Sequence, residues 1–199
     1  MASPLFRRLK TAIQPYHDAA EAEGPLHRLL LPDFSLSEYV AVLKRLYGFL
    51  CAAEPAAAAA LATALSEADT RKLWRLPHLA ADLSHFGVTA ADLEILPVCP
   101  DPPTFPTASR AVGWFYLSEG SRLGGQVLAG ALKERLGLGP ETGAAYFGSR
   151  GENPGHRWRR FQSMADQLIS PQAQQETIAA ACDCFDQLNR WLADRPRHA

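Results

Sequence analysis

The chain has 199 residues, a formal net charge of −1, 21% charged residues and 47% hydrophobic residues. This length and composition predict one folded domain over residues 1–199 and exclude a disordered or fibrous protein. The near-zero charge excludes nonspecific nucleic-acid binding as the main activity, because such binding depends on clustered lysines and arginines. The chain has 33 alanines and 27 leucines but only 6 valines and 4 isoleucines. Good helix formers therefore dominate, which predicts an all-α fold and argues against a sandwich, a barrel or a buried parallel sheet.

Apolar residues at helical spacing, bounded by capping residues, prolines and glycines, predict a single-domain bundle of seven or eight helices. Five of the fifteen prolines fall within residues 97–106, which predicts an extended connector between two groups of helices. Residues 137–153 are rich in glycine and predict a loop. The helices are predicted over residues 4–22, 35–51, 55–65, 69–86, 107–136, 154–169 and 171–194.

The sequence gives no signal for export or for membrane insertion. No apolar run approaches the roughly 20 residues that cross a bilayer, and the N-terminus lacks the apolar stretch of a secretory signal. Four cysteines, Cys51, Cys99, Cys182 and Cys184, show no disulfide spacing. On a helix, Cys182 and Cys184 would point about 200° apart and could not share a metal ion. These features predict a cytoplasmic protein with free thiols and no membrane contact.

Glycines interrupt the longest apolar helical pattern in the chain. Six of the fourteen glycines lie between residues 113 and 137, although each interior glycine costs about 1 kcal/mol relative to alanine. Gly113, Gly120 and Gly124 lie within about 40° of one another on a helical wheel. One interpretation is close helix packing. The other is a kinked helix whose bare backbone touches a flat ligand, and the adjacent pair Gly124 and Gly125 favours the kink.

His17 is the best candidate for a metal ligand. It shares a helix face with Leu9 and Ile13, and Glu21 lies one turn further along. A carboxylate at that spacing can accept a hydrogen bond from one ring nitrogen and leave the other nitrogen free to bind a metal. The alternative is a core histidine with an ordinary i,i+4 contact. Lys10 lies about 10 Å before His17 along the same face, where it would reach a ligand carboxylate or remain solvated.

The sequence lacks the motifs of two other classes of metal site and contains one basic stretch. The sequence has no Glu-x-x-His pair and no C-x-x-C-H motif, which argues against a di-iron bundle and a covalently attached c-type haem. A basic stretch contains Arg150, Arg157, Arg159 and Arg160. It is either a solvated helix start or a contact for an acidic redox partner or for ligand carboxylates.

Together these segments resemble the haem oxygenase family. The segment Leu9-Lys10-Thr11, with His17 and Glu21 in register, resembles the family's proximal helix. The segment from Tyr116 to Leu128, YLSEGSRLGGQVL, resembles its glycine-rich distal helix. The E-G-S-x-L-G-G-Q form is most similar to the bacterial branch associated with bacteriophytochromes. A third, weaker match is Phe147-Gly148 followed by Trp158 and Phe161.

The resemblance implies a haem held between the two helices. His17 would be the axial ligand of the haem iron and Glu21 its hydrogen-bond partner. Gly120, Gly124 and Gly125 would form the distal wall beside dioxygen. Ser121 stands where many members of the family have an aspartate that orders distal waters, and its hydroxyl can hold a water but carries no charge.

The resemblance also implies contacts to the haem propionates. Lys10 and Tyr116 would make them, with Arg159 as a third group. At the position of a family arginine this chain has Gln162, so Arg159 or Arg160 would take over that contact.

The implied reaction is the oxidative cleavage of haem to biliverdin, CO and ferrous iron, in which haem is both substrate and cofactor. It would use O2 and electrons from a ferredoxin or a flavin reductase, and a bacteriophytochrome is a possible acceptor of the biliverdin. Two alternatives are a haem-binding or haem-trafficking protein that does not turn over, and a non-haem enzyme on the same helical fold. The His17–Glu21 pair and the glycine motif argue against the last of these.

Overall fold

A computed structural model describes residues 3–62, 64–148 and 153–194. These ranges contain ten helices and no strand, which confirms the predicted all-α fold with more, shorter helices than expected. The helices are α1 (Pro4–Ala22), α2 (Pro25–Arg28), α3 (Leu36–Leu61), α4 (Glu67–Lys72), α5 (Leu76–His85), α6 (Ala90–Glu94), α7 (Ala108–Leu136), α8 (Ala145–Gly148), α9 (Pro154–Leu168) and α10 (Gln174–Ala193). No helix within the described ranges is long and apolar enough to cross a membrane.

Local capping chemistry sets the ends of the long helices. The Ser3 hydroxyl accepts a hydrogen bond from a backbone N–H in the first turn of α1. A capping box of Ser35 and Glu38 begins α3. The helix α7 begins after Thr107 and ends at Gly137, whose φ of +67° suits a residue without a side chain. These ends agree with the sequence prediction because each depends on residues within one turn.

Two helix boundaries were predicted wrongly, the first for a local reason and the second because of a distant residue. The two helices predicted over 35–51 and 55–65 form the single helix α3, which continues through the exposed Pro55 because the alanines around it are strong helix formers. The helix predicted over 69–86 splits into α4 and α5. The break occurs where the buried carboxylate of Glu54 accepts the backbone N–H groups of Arg75 and Leu76, at 2.9 and 3.0 Å.

The predicted loop over 137–153 contains the short helix α8. The carboxylate of Asp82, which is buried on α5, accepts the backbone N–H groups of Ala145 and Tyr146 at 2.7 and 2.8 Å. A carboxylate at this end satisfies donors that a four-residue helix leaves unpaired. The sequence around α8 gives no sign of this helix because its cap lies more than 60 residues away.

The helix α10 holds α1 and α7 side by side. Against α7 it packs so closely that a Cβ added at Gly113 would lie 2.7 Å from the carbonyl oxygen of Thr177. Towards α1, the Asn189 amide donates to the carbonyl of Tyr16 at 2.8 Å, and the Cys182 thiol lies 3.6 Å from the carbonyl of Ala12. The two helices that carry the predicted site therefore share one supporting helix.

The buried carboxyl of Glu54 makes folding stability depend on pH. Burial raises its pKa to about 6 from 4.5, although the backbone N–H groups of Leu76 and Arg75 lower it. Between these pH values the folded chain binds more protons than the unfolded chain, so the free energy of unfolding should fall as pH rises from about 4.5 to about 6. The loss should be about 2 kcal/mol.

Glu54→Gln should flatten this part of the stability profile, measured by urea unfolding at several pH values. The exposed Glu94→Gln is the matched control and should keep the wild-type slope. Equal slopes in all three proteins would show that Glu54 does not titrate in this range.

Candidate functional site

One face of α7 is apolar and open. Tyr116, Gly120, Leu123, Gly124 and Val127 fall within an arc of about 100° on the helix, and we call this set the distal face. The side chains of Leu123 and Val127 are 43% and 67% exposed. A Cβ added at Gly124 would meet nothing within 4 Å, and one added at Gly120 would meet only the edge of the Trp158 ring at 3.9 Å. The distal face is therefore shaped to leave room for an apolar group.

The other two glycines of the pattern have packing roles. Gly113 allows the close approach of α10, where an added Cβ would lie under 3 Å from two backbone atoms. Gly125 lies on the side of α7 away from the distal face, and its added Cβ would be 3.2 Å from the Phe147 ring. The helix is uninterrupted through Gly124 and Gly125. Close packing is therefore confirmed at Gly113 and Gly125, and a kinked helix whose backbone touches a ligand at Gly120 and Gly124 stays a prediction.

On α1, His17 lies at the edge of the buried face. Leu9 and Ile13 are buried as predicted, whereas the His17 side chain is 43% exposed. Its Nδ1 lies 3.6 Å from Oε2 of Glu21. That nitrogen is shielded from solvent and has no hydrogen-bond partner among the described residues. His17 is therefore not a satisfied core histidine, and it faces Glu21 as expected.

Aromatic rings join α1, α7 and α9 beside the distal face. The Tyr116 ring lies 5.9 Å from Phe6 and 5.5 Å from Trp158, measured between centroids. Trp158 and Phe161 lie 5.7 Å apart. Burial raises the pKa of Tyr116 to about 12, so its phenol stays protonated at neutral pH. Of the third sequence match, Trp158 and Phe161 thus lie beside the distal face, whereas Phe147 packs on the opposite side of α7.

Two predicted cations are exposed. Lys10 on α1 and Arg159 on α9 have no ionic or hydrogen-bonded partner within the described part of the chain. Arg157, in contrast, donates two hydrogen bonds to the buried Glu119, at 3.1 and 3.3 Å. Of the basic stretch, Arg157 is therefore a structural link between α9 and α7, and Arg150 lies outside the described residues.

Ser121 is half-buried and held in place by a residue that the sequence did not reveal. Its hydroxyl donates to the carbonyl of Ser118 at 2.8 Å. The fully buried Arg75 donates to the same carbonyl at 2.8 Å and lies 3.4 Å from the Ser121 oxygen. The guanidinium also stacks on the Tyr146 ring at 4.0 Å. Nothing in the local sequence marks Arg75, because the hydrogen-bond partners of its side chain lie 43 or more residues away.

A second arginine lies beside this network. Arg122 is buried, with its Nη2 atom 3.6 Å from Oε1 of Glu119. Burial and the positive charge of Arg75 lower the pKa of Arg122 to about 9, so it remains a cation at neutral pH. Arg75 thus places a positive charge next to Ser121, whereas Arg122 and Arg157 share the buried carboxylate of Glu119.

These residues fit a haem. A porphyrin needs an apolar wall without side chains over its centre, a nitrogen ligand of fixed orientation, and cations for its carboxylates. The distal face would supply the wall, His17 with Glu21 would supply the ligand, and Lys10 and Arg159 are exposed cations on the two flanking helices. Fold and site together describe an all-helical haem-binding protein.

Comparison with known proteins identifies the family. The sequence model described as "Heme oxygenase" matches residues 3–194, and the chain belongs to the haem oxygenase family. A "Heme oxygenase" of Xanthomonas campestris pv. campestris (strain 8004) is 35% identical over 126 residues, which cover 62% of this chain and 70% of that protein. The chain is thus a haem oxygenase, with haem as its substrate and cofactor.

Solved structures share the fold. The NO- and CO-bound haem oxygenase from Neisseria meningitidis matches with a TM-score of 0.72 at 24% identity, covering 98% of this chain and 94% of that one. The haem oxygenase from Leptospira interrogans gives 0.73 at 15% identity, covering 96% and 99%. Haem oxygenase 2 from Chlamydomonas reinhardtii, solved without haem, gives 0.71 at 18% identity, covering 98% and 100%.

Proposed function

We propose that His17 is the axial ligand of the haem iron and that the distal face of α7 covers the opposite side of the haem. One observation carries this assignment. Gly120 and Gly124 are open where Gly113 and Gly125 are packed, although alanine would be the better helix former at an open position. The absence of a side chain at these two positions is explained by a ligand that approaches the backbone.

The His17–Glu21 pair sets which ring nitrogen binds. With a proton on Nδ1 shared with the Glu21 carboxylate, Nε2 keeps the lone pair that a metal needs. The 3.6 Å separation closes to a hydrogen bond by a small rotation of the exposed Glu21 side chain. Glu21 thus orients the imidazole and increases its basicity.

On the distal side, haem supplies the redox chemistry and the chain supplies room and protons. Gly120 and Gly124 leave space for a small diatomic molecule. Ser121 is fixed by Ser118 and Arg75, so its hydroxyl oxygen is available at a defined place to hold a water. Arg75 is a buried cation 3.4 Å from the Ser121 oxygen, and it favours negative charge developing on this side.

We further infer that Lys10, Tyr116 and Arg159 hold the propionates. An exposed charge pair of this kind is worth about 1 kcal/mol or less. Lys10→Ala and Arg159→Ala should therefore change the orientation of the haem more than its affinity. The measurement is the ratio of biliverdin isomers after turnover, with Lys44→Ala, on α3, as the matched control. Isomer ratios identical to wild type would contradict the proposed contacts of Lys10 and Arg159 with the propionates.

The partners follow from the reaction class. The reaction requires external electrons, so we propose a ferredoxin or a flavin reductase as the donor, and a bacteriophytochrome as an acceptor of the biliverdin. A cytoplasmic location is proposed with these partners.

Titration with hemin, followed by reductant under air, tests the proposal. We expect one hemin per chain, a histidine-ligated spectrum, and conversion to a bilin spectrum with release of CO. Stable ferrous haem without a bilin would instead indicate a haem carrier. No stoichiometric binding would indicate a non-haem enzyme on this fold.

A further inference from the structure

We propose that Trp158 determines the orientation of the haem in its site, and that the buried ion pair between Glu119 and Arg157 is the positioning contact that holds the Trp158 ring in place. The inference rests on the proposed function, which places haem over Gly120 and Gly124. The ring adds an apolar stop at the haem edge to the contacts of the propionates. The orientation decides which meso carbon of the porphyrin lies beside the distal face, and therefore which biliverdin isomer forms.

The Trp158 ring closes one end of the distal face. Among the described residues, a Cβ added at Gly120 would meet only the edge of this ring, at 3.9 and 4.0 Å, whereas one added at Gly124 would meet nothing within 4 Å. Side chains on a helix lean towards its N-terminus, so the ring lies on the Tyr116 side of Gly120, with its centroid 5.5 Å from that of Tyr116. A flat ligand over the two glycines therefore meets Trp158 at one edge and open space at the other.

The exposure of Trp158 separates a ligand contact from ordinary packing. Its ring lies 5.6 Å from Phe6 and 5.7 Å from Phe161, measured between centroids. Phe6, Tyr116 and Phe161 are buried, whereas Trp158 is only half-buried. Three buried rings thus hold the tryptophan and leave part of it open. Such a surface suits the edge of a porphyrin, because aromatic rings gain from edge-to-face and offset contacts.

The ion pair sets the position of this ring through the backbone. Glu119 and Gly120 are neighbours on α7, and Arg157 and Trp158 are neighbours on α9, so the ionic contact and the ring contact lie side by side. Arg157 donates to both carboxylate oxygens of Glu119, at 3.1 and 3.3 Å, and to the carbonyl of Lys72. The Glu119 and Arg157 side chains are only 1% and 12% exposed. A two-point contact between a planar guanidinium and a carboxylate fixes direction as well as distance, so it determines where α9 presents Trp158.

The test uses the full chain loaded with hemin and cyanide, in which proton NMR of the haem methyl groups reports the orientation without turnover. Wild type should show one dominant orientation. Trp158→Ala should lower the ratio of major to minor orientation by about tenfold or more, as loss of an apolar contact does in a selective pocket. The ratio of biliverdin isomers after turnover should change in the same sense. Trp158→Phe, which keeps a ring, should retain most of the preference.

Two matched controls separate positioning from a general loss of stability. Arg157→Lys keeps the charge but loses the two-point contact, so it should change the orientation ratio in the same direction as Trp158→Ala. Arg110→Lys alters another ion pair of α7, with Asp183 on α10 at 3.1 Å, and should keep the wild-type ratio. Trp191→Phe, a tryptophan change on α10, should keep it as well. Helix content by circular dichroism checks folding, and Trp158→Leu takes the place of Trp158→Ala if that variant does not fold.

The outcomes distinguish this inference from the proposed function. An orientation ratio equal to wild type in either Trp158→Ala or Arg157→Lys would overturn the inference. Hemin that binds in one orientation in every variant would leave the proposed function standing and remove only the role of Trp158. Failure of wild type to bind hemin would remove both.

Discussion

His17→Ala is expected to abolish the histidine-ligated hemin spectrum and to reduce bilin formation by at least roughly a hundredfold, which exceeds the loss typical of residues that only support a ligand. The side chain is 43% exposed at the edge of the buried face of α1, so its removal should leave the fold intact. Added imidazole should occupy the vacated space and restore part of the spectrum. The measurements are the absorption spectrum and the single-turnover bilin yield.

Two further variants, Glu21→Gln and His27→Ala, test whether the loss is specific to the ligand at His17. Glu21→Gln keeps a hydrogen-bond acceptor but removes the charge, so it should retain the histidine-ligated spectrum and lose about tenfold in activity. His27→Ala, on the neighbouring helix α2, should behave as wild type. An unchanged spectrum in His17→Ala together with a lost spectrum in His27→Ala would make His27 the ligand.

The part of this site that could be predicted from the sequence is the part that is local. Lys10, His17 and Glu21 lie on one helix, where spacing alone fixes which side chains share a face. The 19 residues of α1 and the 29 of α7 were predicted at nearly their observed bounds because their caps lie within a turn of their ends. The helix break predicted at Pro55 was wrong although its cause is local, because the strong helix formers around this proline outweigh the loss of one hydrogen bond.

What could not be predicted depends on residues far apart in the chain. Glu54 accepts the backbone N–H of Arg75 where α5 begins, and Asp82 caps α8. Arg75 contacts Ser121, which lies 46 residues further along the chain. Each is a buried polar group whose partner is mostly a backbone or hydroxyl group. Such partners leave no pattern in the sequence, because any residue supplies a backbone N–H or carbonyl.

The glycines of α7 show the same limit within one helix. Gly113 and Gly124 share a face, but they are about 16 Å apart along the axis. The helix α10 covers the first and leaves the second open. Spacing places both on one side of the helix, and only the packing of α10 decides which of them is a packing residue and which faces a ligand.

Gly120→Leu should therefore separate folding from function. A side chain at residue 120 would extend over the distal face, where the nearest neighbour of an added Cβ is the Trp158 ring at 3.9 Å. Replacing a helical glycine gains up to about 1 kcal/mol of stability, so the variant should unfold at equal or higher urea concentration than wild type. It should nevertheless bind hemin poorly or fail to convert it, because the side chain occupies the space required by haem and O2.

Gly113→Ala is the matched control, and it should do the opposite. Its Cβ would lie under 3 Å from backbone atoms of α10, so overpacking should cost about 1–3 kcal/mol. The protein that remains folded should bind hemin and turn it over normally. Ser121→Ala should impair the reaction less than Gly120→Leu does. Its hemin affinity should be near normal and its conversion of hemin slower, because backbone groups and water still supply hydrogen bonds. If Gly120→Leu unfolds the chain, Gly120 packs like Gly113; if it turns over normally, residue 120 does not face the haem.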